Sequence, residues 1–158
     1  MIALVIALAC GCGARHRGRG AGGAGASDTP AGVVEAATGA LERWRQAYEL
    51  RSVDELAKLY ARDGATIVVH EGQAHTGWPA VEAMLKARLA KATAVHVRIS
   101  DISVAAVGTD GARAVAGMRR EIGDGTVTLT ETGTLTLVLR REGDGWVIVL
   151  EHFSYKRS

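Results

Sequence analysis

A chain of 158 residues with 47% hydrophobic content and only two prolines has room for one domain of ordinary globular composition. Arg15, Arg17, Arg19 and Asp28 lie in an N-terminal tether, leaving 16 basic against 16 acidic side chains in residues 33 to 158, which excludes the basic footprint of a nucleic-acid binder. Both cysteines, Cys10 and Cys12, precede that domain, so it holds neither a disulfide nor a cysteine-ligated metal and must be held by packing.

Residues 1 to 12 read as a leader. Ile2 to Ala9 is an apolar run of eight residues, too short to span a bilayer and suited to the core of a secretory signal. Ala7-Leu8-Ala9-Cys10 resembles the lipobox of a bacterial lipoprotein, which implies lipidation at Cys10. Alanine replaces the usual leucine at the first lipobox position and no basic residue precedes the run, which a start codon placed too late would explain; plain secretion and a cytoplasmic protein with a mis-set start are the alternatives. Residues 13 to 32, rich in glycine and alanine, read as a flexible tether with a reach of about 25 Å. The domain expected is 33 to 158, exported, and touching a membrane only through its lipid.

From Val33 the pattern is helical, with Val34, Ala37, Leu41, Trp44 and Tyr48 on one stripe. Ser52 and Glu55 form a capping box for a short second helix running to Asp63-Gly64. Thr66 to His70 is a β-branched first strand, Glu71 to Gly77 a loop, and Pro79 marks the first turn of a third helix with Val81, Met84, Leu85 and Leu89 as its core face. A long strand, Ala94 to Val107, bends at Ser100-Asp101, and Ala112 to Ile122 follows after the turn at Asp110-Gly111.

The last hairpin organises the rest. Val127, Leu129, Leu135, Leu137 and Leu139 alternate with threonines at period 2, the turn falls at Glu142 to Gly145, and Trp146 to Tyr155 returns. Glu131 is in phase with the leucines, so unless a bulge at Gly133 shifts the register, a carboxylate faces the core. On the returning strand Trp146, Ile148 and Leu150 alternate with Val147, Val149, Phe153 and Tyr155, an apolar pattern on both faces that predicts cover on both, from helices and from a second subunit.

This order of elements is α+β. Together with the segment LYARDGATIVVHEG (residues 59 to 72), the Gly77-Trp78 start of the third helix and the ending DGWVIVLEHFS (residues 144 to 154), it resembles the NTF2-like superfamily, within it the SnoaL-like and DUF4440 families. The resemblance implies a cone: three N-terminal helices packed on a strongly curved, mostly antiparallel sheet, an apolar cavity at the open end and a homodimer formed through the sheet.

The superfamily includes enzymes. Ketosteroid isomerase uses a helical tyrosine, an aspartate base and a protonated aspartic acid. Trp44, the pair Val69 and His70, and the run Gly133 to Thr136 stand at those places here, so its mechanism is not retained. What remains is Glu131 with His152 as a candidate acid–base pair, and Trp44, Tyr48, Tyr60, His70, Trp78, His96 and Arg119 as candidate ligand-binding residues. The plainer role for Glu131 is to accept hydrogen bonds from an arginine such as Arg119 or from threonines. The strand histidines make no local metal motif, and no nucleophile elbow, phosphate loop or dinucleotide fingerprint appears, so neither metal nor cofactor is expected. The partners expected are a second copy and a small apolar or amphipathic molecule, bound rather than turned over. The alternative is an isomerase, hydratase or lyase acting through Glu131 and His152 on a lipophilic substrate.

Overall fold

The computed structural model describes residues 29–158. The leader, Cys10 and the tether up to Asp28 lie outside the described residues. The elements are α1 (Pro30–Glu49), α2 (Val53–Ala57), β1 (Ile67–His70), β2 (Gln73–Thr76), α3 (Trp78–Leu89), β3 (Ala94–Val107), β4 (Gly111–Gly123), β5 (Thr128–Glu142) and β6 (Gly145–Arg157).

α1 begins at Pro30, inside the stretch assigned to the tether. Thr29 caps it by accepting from the Gly32 N–H at 3.1 Å, and proline suits a first turn whose N–H has no partner. Its buried face is Val33, Ala37, Ala40, Leu41, Trp44, Ala47 and Tyr48. Ser52 caps α2 through the Glu55 N–H, as its spacing predicts, but the helix stops at Ala57 instead of Asp63.

The expected loop after β1 is a hairpin. Glu71 and Gly72 both take positive φ, 53° and 76°, the pattern of a tight two-residue turn whose twist matches its strands. The second arm, Gln73–Thr76, is four mostly exposed residues with no apolar alternation from which to read a strand. The sheet order is β2-β1-β6-β5-β4-β3, antiparallel except where β1 runs parallel to β6. The sheet curves round α1, which touches β3, β4 and β6. The bend in β3 is present: its register shifts between Ser100 and Ser103, and Asp101 has φ 51°.

Two register details decide the site. Gly133 carries no bulge, since its pairing with Met118 on one side and Tyr155 on the other is continuous. It is glycine because β6 passes so close that a Cβ there would lie 1.9 Å from the Ser154 carbonyl oxygen. Glu131 therefore keeps the phase of Leu135, Leu137 and Leu139 and is fully buried.

β6 does carry a bulge. Val138 pairs with Leu150 but Leu139 pairs with Ile148, so Val149 is the extra residue. Before it Trp146 and Ile148 point inward; after it Glu151 and Phe153 do. The strand has one core face whose parity changes at Val149, which corrects the assignment of residues to faces: Phe153 joins the face of Trp146 and Ile148, and Leu150 leaves it.

Candidate functional site

Across the core face of β4 and β5, Arg120 stands opposite Glu131 and donates from Nε and Nη2 to Glu131 Oε2 at 2.9 and 2.7 Å. Arg88, one turn from Leu85 on the inner face of α3, donates to the same oxygen from Nη2 at 2.8 Å. From the end of β6, Arg157 lies opposite Glu131 and approaches Oε1 at 3.4 Å, while it also donates to Glu71 in the β1–β2 turn and to the Tyr155 hydroxyl at 3.1 Å. Burial alone pushes the Glu131 carboxyl up, but Arg120 and Arg88 together outweigh it and hold it below the ordinary carboxylate range. His70 accepts from Arg88, and its pKa is lowered to about 4, first by burial and then by the positive charge of Arg88 and Arg120, so the ring is neutral at pH 7.

A second carboxylate, Glu151, is also buried. Trp44 Nε1 donates to its Oε2 at 2.9 Å, the Tyr60 hydroxyl donates to the same oxygen, and the Tyr48 hydroxyl approaches Oε1 at 3.4 Å. Burial, reinforced by the charge of Glu151, raises both tyrosines far above their usual pKa, so both remain donors. Neutral donors alone surround Glu151, whereas guanidiniums surround Glu131. The Arg120 guanidinium joins the two groups, 5.5 Å from the Tyr48 ring centroid and 5.0 Å from that of Phe153.

The structure thus brings Trp44, Tyr48 and Tyr60 together, though as donors to Glu151 and not as the wall of a void. Trp78 is half-buried against Tyr60 at 5.9 Å, and His70 joins the Glu131 cluster. Three expectations are corrected. His152 points to solvent, because the Val149 bulge places Glu151 and Phe153 inward, so Glu131 and His152 are on opposite faces and make no acid–base pair. His96 is exposed, paired across strands with Glu121. Arg119 is exposed and bonds Glu121; its neighbour Arg120, in phase with Ala114, Ala116 and Met118, is the buried partner. An arginine does hold Glu131, as the plainer reading expects, but period 2 along β4 selects the next residue. Arg88 joins the cluster only through the packing of α3, and Glu151 was hidden by the bulge.

A carboxylate held ionised by guanidiniums is a weak base and supplies no proton near neutral pH. Among the described residues no group of three or more His, Cys, Asp or Glu is placed to hold a metal ion. The centre of the cone is filled: Leu41, Trp44, Tyr48, Leu135, Leu137 and Leu139 are at most 2% exposed. One of several open grooves lies where β6 outruns β1, and it is the one that borders the Glu131 cluster. The last pair of these strands is Val69 with His152, and beyond it the groove, of about 450 Å³, is lined by Glu71, Gly72, Phe153, Tyr155 and Arg157 along with His152 and Ser154. Phe153 and Tyr155 stack there at 4.6 Å and 25°, and Arg157 ties the groove to Glu131.

A sequence profile described as a SnoaL-like domain matches residues 38–158. No curated protein sequence matches the chain. Among solved structures, a proposed dehydratase of the NTF2-like family from Streptomyces avermitilis superposes with a TM-score of 0.74 at 22% identity, covering 81% of this chain and 99% of that one. An NTF2-like superfamily protein from Salmonella enterica serovar Typhimurium gives 0.72 at 18% identity, covering 79% and 92%. A hexachlorocyclohexane dehydrochlorinase, LinA type 2, gives 0.68 at 12% identity, covering 78% and 86%. At these identities the likenesses establish the fold, an NTF2-like cone.

Proposed function

The chain belongs to the SnoaL-like domain family, and on that premise we propose that it is a small-molecule-binding module whose amphipathic ligand lodges at the open end of the cone. The observation that carries this reading is the groove at the end of β6, where a stacked aromatic pair borders a buried charged cluster. Its volume is of the size that takes small ligands, and an aromatic wall beside a few fixed polar groups is how such sites orient them. Two probes of the same shape test it, 2-naphthamide and 2-naphthoate, titrated calorimetrically into the full chain. At least one is expected to bind with one-to-one stoichiometry, and Tyr155→Ala is expected to weaken that binding by about tenfold through loss of the stacking face. Absence of binding by both probes overturns the reading.

The module is held outside the cytoplasm by a lipid on Cys10, a reading supported by the lipobox-like residues 7 to 10 alone. In a bacterial host fed an alkyne-tagged fatty acid, the full chain should take up the tag and Cys10→Ser should not. Retention of the tag by Cys10→Ser rules out that anchor. A homodimer through the outer face of the sheet fits the half-buried apolar side chains Val138, Val147, Val149 and Leu150, and native mass spectrometry of the full chain reads it directly.

A further inference from the structure

The guanidiniums around Glu131 do not spend all their donors. Arg88 Nε and Arg120 Nη1 are shut off from solvent and have no acceptor among the described residues. Their remaining bonds converge on Glu131 Oε2, with Arg88 also touching His70. Buried donors without acceptors are rare because they forfeit hydration and receive nothing in exchange, and the loss is greatest for charged groups.

No neighbouring acceptor is free to take them. Glu131 Oε2 already receives three N–H groups and Oε1 faces Arg157. Glu151, beyond Tyr48, is occupied by Trp44, Tyr48 and Tyr60. Glu71 is exposed and paired with Arg157, and His70 is neutral. Around the one buried carboxylate of this end, therefore, stand three guanidiniums from α3, β4 and β6.

We propose that the ligand of the small-molecule site is an organic monoanion of the carboxylate class with a flat apolar body. This rests on the binding reading above and specifies its chemistry. A carboxylate brings two acceptor oxygens, one for each of the unspent donors Arg88 Nε and Arg120 Nη1, while the body lies against the Phe153–Tyr155 stack at the groove. Arg157 is the movable residue on the path. Its side chain is 43% exposed, it holds Glu131 only at 3.4 Å, and it spans from the end of β6 to Glu71. Swinging out with Glu71, it opens the way from the groove to the two inner arginines.

The probe pair separates this inference from the broader one. 2-Naphthoate and 2-naphthamide differ in charge and in offering two acceptors against one, so the naphthoate is expected to bind the full chain at least about tenfold more tightly. Arg88→Lys keeps the positive charge beside Glu131 but removes the Nε donor, and should reduce that preference to a few-fold while the thermal midpoint shows the variant folded. Equal affinity for the two probes in the unmodified chain overturns the anion assignment and leaves the binding module standing. An Arg88→Lys variant with undiminished preference removes Arg88 from the head-group site. Binding by neither probe overturns both readings. The comparison in the unmodified chain needs no variant to fold.

Discussion

Glu131→Ala is expected to lower folding stability by about 3–5 kcal/mol, because it leaves Arg120, fully buried, and Arg88, nearly so, without their counter-charge. Urea unfolding of the variant beside the unmodified chain measures it, and a loss below about 1 kcal/mol would show that water or a shifted arginine relieves the cluster. Replacing both members of the central pair, Arg120→Met with Glu131→Leu, should be less damaging than Glu131→Ala alone. The double change removes one buried charge of each sign, and only the cations at the edge then lose a partner.

The same cluster sets an acid limit. The folded pKa of Glu131 is depressed, so its contribution is fully present above the unfolded value near 4.3 and is lost as pH falls through the lower folded one. His70 acts over a higher window. Its folded pKa of about 4 lies below the unfolded 6.5, so the unfolded chain takes up a proton first, and stability falls as pH drops from about 6.5 towards 4. Stability of the unmodified chain should thus decline in two stages. His70→Asn removes the upper stage and Glu131→Gln the lower one; absence of the upper stage in the unmodified chain would contradict the His70 shift, and absence of the lower one the Glu131 shift.

Deleting Val149 is expected to prevent the chain from folding to a stable state. Without the bulge, pairing that is correct before residue 149 turns Glu151, Phe153 and Tyr155 to the outer face and brings His152 and Ser154 inward. The cost combines the loss of a buried aromatic with three donors, on Trp44, Tyr48 and Tyr60, left without Glu151. Circular dichroism and thermal unfolding of the purified variant read the outcome. A cooperative transition within a few degrees of the unmodified chain would mean that the strand slips to restore Glu151, and that its parity is set from the C-terminal side.

Much of the architecture is a local property of the chain and was legible from it. The α1 stripe, the Ser52 cap, the period-2 arms of β5 and the bend of β3 each arise from neighbours a few residues apart. Glu131 was also legible, since it stands in phase with Leu135 and Leu137, and so in principle was Arg120, in phase with Met118. The position of His70 on the first strand was right, and its partner Arg88 is found only once α3 is packed against that strand.

What the tertiary structure alone decided was the content of the core beyond those positions. The order of residues in β6 assigns Leu150 and His152 to the same face as Trp146, and nothing local opposes that assignment. The partner strand does: β5 passes from Val138 to Leu139 while β6 passes from Leu150 to Ile148, and the one-residue difference exchanges His152 for Glu151 at the centre of the molecule. A strand's face is set by its own alternation, but the residue at which the alternation shifts is set by hydrogen bonds to another segment, and those form only when the sheet assembles.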